Sequence, residues 1–263
     1  MSMLNLVAFN SFIIPIIAIV IDQQNYAGSP SSSRIIGGKE VNITDYPYLV
    51  AVEVNKKFNC AGSIIARTWI LTGAECLSRA SVSNTRIRIG TSFVSKGGQL
   101  REVLELIRHA NYNFINGDYD IALIALYQRI PLSEYAQIIR LPDNTNVDLD
   151  GRLGTAMGWG EIRESGPGSS VLRAVDIPIV NLDVCRQVYN TSHGLKVTSR
   201  MLCAGFWDGG KATGVGDGGG PLVVDSVLIG ITSWSVGRGR PEDPEVLTNV
   251  AYFRDWITHY TGI

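Results

Sequence analysis

The chain has 263 residues, 45% hydrophobic and 18% charged, enough for one large globular unit or two small ones. Its 23 Lys and Arg against 24 Asp and Glu leave a formal net charge of −1, so no basic excess exists to neutralise phosphate or sulfate, which excludes a nucleic-acid or heparin partner. The 28 glycines, above the usual share of about 7%, and the low charge point to a turn-rich β protein rather than a helical one.

From the N-terminus, residues 12–21 read FIIPIIAIVI, the length of a signal-peptide core and too short to span a bilayer. Extending this run back to Leu4 crosses Asn5, Asn10 and Ser11, which weighs against a membrane anchor, although no Lys or Arg precedes Arg34. Residues 1–27 are therefore read as a signal peptide with an unsettled cleavage point, and the mature chain as secreted and free of the membrane. GSPSSS, residues 28–33, is a flexible linker by composition; with Arg34 it forms a short propeptide, residues 28–34. Residues 35–263 form one domain, and the sequons Asn42-Ile-Thr44 and Asn190-Thr-Ser192 fit secretion.

Short apolar runs bounded by turn residues then predict strands over 48–54, 69–71, 86–89, 100–107 and 121–126 in the first half. The second half predicts strands over 153–157, 172–179, 221–224, 227–232 and 246–250, with Asp225-Ser226 as a tight hairpin turn. Helical signals are few. Asn181 caps a short helix through Tyr189, and 251–260 reads as an amphipathic helix with Trp256 and Tyr260 on one face. Two β-barrels with a C-terminal helix satisfy this all-β pattern. Cys60, Cys76, Cys185 and Cys203 allow three pairings. The local one, Cys60–Cys76 with Cys185–Cys203, closes two loops worth about 3 kcal/mol each and needs an oxidising compartment. No CxxC occurs and the three histidines stand at no metal-ligand spacing from a cysteine, so no metal is expected.

Five segments carry a resemblance. In order they are Arg34-Ile-Ile-Gly-Gly38, Leu71-Thr-Gly-Ala-Glu-Cys76, Asp120-Ile-Ala-Leu123, Met157-Gly-Trp-Gly160 and Gly216-Asp-Gly-Gly-Gly-Pro221. Together they are similar to the trypsin-like (chymotrypsin-fold) serine proteases over nearly everything after Arg34. The resemblance implies two six-stranded antiparallel β-barrels with the site in the crevice between them.

That family's chemistry needs a hydroxyl nucleophile, an imidazole base and a buried carboxylate. By the resemblance these positions fall on Gly218, Glu75 and Asp120. A glycine has no hydroxyl, and a carboxylate is no imidazole, so the expectation is a chain that is not an enzyme: a degenerate serine endopeptidase with no functional catalytic residue. Glu75 facing Asp120 predicts a raised pKa for one of the two. The alternative is a residual endopeptidase or a hydrolase using Glu75 and Asp120 as a carboxylate pair.

The resemblance places the specificity-pocket floor on Ala212 and two walls on Ser235 and Glu245, where added side chains should crowd the entrance; Ser233 is a further remnant of that pocket. A third family disulfide would join Gly214 and Arg238. Losing both cysteines together favours the local pairing of the four that remain, and Arg238 is expected to pair with Glu245 instead. Cleavage after Arg34 would free the Ile35 α-ammonium to bury against Asp217; otherwise the chain is unprocessed and Asp217 is hydrogen-bonded elsewhere. The amides of Gly216 and Gly218 correspond to the oxyanion hole. No calcium and no cofactor are implied, and Gly214–Gly220 lacks the lysine of a phosphate cradle. The joint change at triad and pocket most resembles the inactivated serine-protease paralogues of scabies mites. That resemblance implies host proteins such as complement components as partners, and leaves the oligomeric state open.

Overall fold

The computed structural model describes residues 36–143 and 148–263. The signal segment 1–27, the propeptide 28–34 and the Arg34–Ile35 bond lie outside the described residues.

After a short edge strand, β1 (Lys39–Glu40), six strands close the first barrel. They are β2 (Leu49–Val54), β3 (Lys57–Ala66), β4 (Trp69–Thr72), β5 (Thr85–Ile89), β6 (Gln99–Arg108) and β7 (Ala122–Leu126). All neighbours are antiparallel, in the order β2-β3-β4-β7-β6-β5. Closure leaves no exposed edge on these six strands. Every residue of β2 is buried, and this leaves one buried acid, Glu53. Its carboxylate is met by Arg86 at 2.5 Å and Arg88 at 2.6 Å from β5, as a buried charge requires.

The second barrel comprises β8 (Leu153–Gly158), β9 (Arg173–Val180), β10 (Met201–Ala204), β11 (Pro221–Val224), β12 (Val227–Trp234) and β13 (Glu245–Asn249). The order β9-β10-β13-β12-β11-β8 closes through a further β9–β8 pairing, with β1 added outside β9. Asp225 and Ser226 take φ of 47° and 61°, the double left-handed geometry of a two-residue hairpin turn, as the sequence predicts.

Strand predictions agree with the structure within one or two residues, but β1, β3 and β10 are absent from them. β3 begins Lys-Phe-Asn-Cys and continues into a fully buried run, so it never alternates; β10 is four buried residues. The missed signal for β3 is Asn55-Lys56, with φ of 52° and 63°, a hairpin turn between β2 and β3.

Helix α1 (Leu182–Val188) starts where the Asn181 side chain accepts from the amides of Asp183 and Val184 at 3.0 and 3.2 Å, satisfying two N-terminal donors. It yields to a wider turn over Tyr189–His193 that ends at Gly194, φ 65°. Its buried Cys185 bonds to Cys203 of β10, and Cys60 of β3 bonds to Cys76, so the local pairing holds. Helix α2 (Arg254–Thr261) closes the chain after one tight turn at Ala251–Phe253. A continuous buried cluster that includes Leu71, Leu123, Met157, Trp159, Leu228 and Phe253 joins both barrels and fixes the crevice between them.

Candidate functional site

The residues singled out by sequence converge on the seam between the barrels. Asp120 lies just before β7 and is almost fully buried. Its Oδ1 accepts from the Glu75 amide at 2.9 Å and its Oδ2 from the Ser233 hydroxyl at 2.5 Å. The Thr248 hydroxyl of β13 donates to its backbone carbonyl at 2.6 Å. Asp120 is thus carried by the first barrel and held by side chains of the second.

Glu75 reaches this carboxyl by its backbone, and its side chain turns outward. The carboxylate accepts from the Tyr112 hydroxyl at 2.8 Å and from Ser78 at 3.2 Å, at an exposed position. The expected facing pair of carboxylates is therefore corrected. Asp120 does have a raised pKa, but burial is the first cause; the Ser233 and Glu75 hydrogen bonds oppose it and the Glu75 charge adds a smaller push.

Gly218 is bare backbone at the adjoining point. Its carbonyl accepts from the Ala61 amide of β3 at 3.0 Å, and a Cβ placed there would meet only Cys60 Sγ, at 3.8 Å. The flanking amides are used internally, Asp217 to Gly214 at 3.0 Å and Gly219 to Thr232 at 2.9 Å. No acceptor for the Gly216 or Gly218 amide appears among the described hydrogen bonds.

The space expected for the specificity pocket is filled from within. Glu245, 4% exposed, brings its Oε1 to the amide of Thr213, next to buried Ala212. Its Oε2 is buried with no hydrogen-bond partner. Burial pushes this carboxyl up to about 7, against the pull of the Thr213 hydrogen bonds. Ser235 is only half-buried, so the crowding comes from Glu245. The expected Arg238–Glu245 ion pair is not formed among the described residues, because the Glu245 carboxylate is turned to Thr213. Arg238 acts through space, holding down both Glu245 and Asp217. At Gly214 a Cβ would strike the Glu161 backbone, with its oxygen at 2.4 Å, so no side chain fits there in this arrangement.

Asp217 is completely buried, accepting from the amides of Gly160 at 2.7 Å and Gly214 at 2.8 Å. Burial pushes its carboxyl up to about 6 despite these bonds. Its proposed partner, the Ile35 α-amino group, lies outside the described residues. Asn42 and Asn190 are both exposed, as glycan acceptors must be. Among the described residues, no three His, Cys, Asp or Glu side chains converge as a metal site would require, and no helix is long and apolar enough to cross a membrane.

Sequence reasoning missed the groove above Asp120. It has a volume of about 360 Å³ and is lined by Tyr112, Phe114, Ile115, Leu195, Lys196 and Trp234 as well as Glu75, Asp120 and Ser233. Phe114 and Ile115 stand at its lip, 80% and 78% exposed. The available signal was two adjacent bulky apolar residues inside the polar loop His109-Ala-Asn-Tyr-Asn-Phe-Ile-Asn-Gly-Asp118.

A family model described as Trypsin matches residues 35–257. Trypsin 5G1 of Aedes aegypti is 36% identical over 234 residues, covering 89% of this chain and 87% of the relative. The vitellin-degrading protease of Bombyx mori is 37% identical over 224 residues, covering 85% and 84% respectively. A trypsin of Phaedon cochleariae is 36% identical over 233 residues, covering 88% and 89%. These names correct the expectation of a chain outside the enzymes: its relatives are named as proteases, and this chain falls in their family. The side chains at positions 75 and 218 enter below only through what they can do chemically.

Proposed function

Because this chain belongs to the trypsin family of serine proteases, with both disulfides and the double barrel of that frame in place, we propose that it is secreted and works by binding other proteins at the rim of the former cleavage groove. The observation that carries this reading is the pair Phe114 and Ile115, which project 80% and 78% exposed beside a groove whose nucleophile position is bare backbone. Large apolar side chains that a soluble fold leaves uncovered mark interaction surfaces, and loops on a rigid scaffold supply them. Acyl transfer by the family's route needs a hydroxyl at 218 and a proton acceptor at 75 aimed at it. Here position 218 has no side chain, and the Glu75 carboxylate bonds to Tyr112 and Ser78. Host defence proteins, complement components among them, are the proposed partners, on the resemblance to the scabies-mite paralogues.

The protein should therefore lower complement-dependent lysis of antibody-coated erythrocytes in serum, and the double variant Phe114→Ser, Ile115→Ser should lose at least tenfold in potency. A peptide-substrate library is run on the same preparations. Undiminished potency in the double variant would remove the loop from the reading. Peptide cleavage by the purified protein that disappears on Asp120→Ala would replace binding with hydrolysis.

A further inference from the structure

The loop that carries Phe114 and Ile115 also holds the chain's only Asn-Gly pair, Asn116-Gly117. Asparagine before glycine is labile wherever the glycine nitrogen can reach the asparagine side-chain carbon, because no Cβ shields that nitrogen. A folded loop can forbid that approach, so the local geometry decides.

Asn113 and Asp118 pair across the base of the loop, the Asn113 amide donating to the Asp118 carbonyl at 2.9 Å. Asp118 is fixed from the segment before β10 by Arg200, at 2.7 and 2.5 Å, and by the Thr198 hydroxyl at 3.1 Å. The Asp118 amide in turn donates to Asn116 Oδ1 at 3.0 Å. That bond folds the Asn116 side chain back over the Gly117 peptide. It also stabilises charge that builds on Oδ1 when Cγ is attacked. No acceptor for the Gly117 amide appears among the described hydrogen bonds. Asn116 is partly exposed, so water reaches it.

We propose that Asn116 is a self-modifying site, which closes on Gly117 to a succinimide in the folded protein and reopens as aspartate or isoaspartate. The deprotonated Gly117 nitrogen attacks Asn116 Cγ and forms a new N–Cγ bond. The Cγ–Nδ2 bond breaks with its electron pair on nitrogen, and ammonia leaves carrying the proton lost from Gly117. Water then opens the ring at the side-chain carbonyl, giving aspartate, or at the main-chain carbonyl, giving isoaspartate. Either product adds a negative charge to a groove whose lining acids, Glu75 and Asp120, are accompanied by one cation, Lys196. Isoaspartate also lengthens the main chain where there is no slack, since a Cβ on Gly117 would lie 2.4 Å from Trp234 Cδ1. The lost amide is not regained, so the lip is altered for the life of the molecule.

The test is peptide mapping of the full chain after incubation at 37 °C, at pH 5 and at pH 8, with a synthetic peptide of residues 112–119 alongside. Conversion of Asn116 to both isomers is expected, at least tenfold faster at pH 8, because the attacking nitrogen must first lose its proton. The folded chain should react no more than tenfold slower than the peptide, which has no fold to overcome. Asn116→Gln should show no conversion at this position over the same time, since its ring would need six members. Aspartate as the sole product, equal rates at the two pH values, or a folded rate more than tenfold below the peptide's would overturn the proposal.

Discussion

Replacing Glu245 with glutamine is expected to stabilise the protein at pH 8 and to leave it nearly unchanged at pH 5. The carboxyl titrates near 4.5 when unfolded and is pushed up to about 7 by burial in the fold. Between those values the folded chain holds a proton that the unfolded chain has released. Stability is therefore fully present below the unfolded value and is lost as pH rises through the folded one. At about 1.4 kcal/mol per pKa unit, the loss is at most about 3 kcal/mol. Asp217, raised to about 6 by the same cause, adds a loss of the same sign over a slightly lower window. His109 opposes them, because burial lowers its pKa and favours its neutral form. The difference between wild type and Glu245→Gln isolates the one residue. Urea midpoints taken from pH 5 to pH 8 should fall more steeply in the wild type than in the variant, which keeps the Asp217 loss. Parallel curves would mean that Glu245 is ionised in the fold, with a counter-charge close at hand.

Two adjacent glycines should respond in opposite ways. Gly219 has φ of 76°, and a Cβ there would lie 2.2 Å from Thr72 Oγ1, 2.6 Å from the Ala61 carbonyl and 2.9 Å from Cys76 Sγ. Gly219→Ala must bear left-handed strain of about 1–2 kcal/mol and overpacking of about 1–3 kcal/mol. A total loss of about 3–4 kcal/mol follows, or about 10 °C in Tm for a domain of this size. Gly218→Ser meets only Cys60 Sγ at 3.8 Å and should stay within about 1 kcal/mol of wild type. Thermal unfolding of both variants decides it. Equal losses would mean that position 218 is not the open point it is taken to be here.

Most of the frame was legible in the sequence because short apolar runs with turn residues at their ends obey local rules. The Asp225-Ser226 hairpin and the Asn181 cap were read correctly for that reason. β3 escaped because it opens on the polar, part-exposed Lys57-Phe-Asn59 and carries Gly62 and Ser63 within its buried half, and β10 because it is only four residues long. Within the site, the chain positions of Glu75, Asp120, Gly218 and Glu245 were evident, but side-chain direction was not. Whether Glu75 turns toward Asp120 or toward Tyr112 depends on a tyrosine 37 residues away. Whether Glu245 meets Arg238 or an amide depends on how the Thr213 segment lies. The Phe114–Ile115 lip is a product of tertiary arrangement and leaves no periodic trace.

Asp120 also bears on how the molecule comes apart. Its backbone enters β7 of the first barrel, while Ser233 and Thr248 of the second barrel donate to it, and the Ala61 amide of the first barrel reaches back to Gly218. Opening either barrel alone would break these bonds and wet a buried carboxyl in the other. The two barrels are thus coupled into one cooperative unit, and the slowest amide exchange in both is governed by the same global unfolding event.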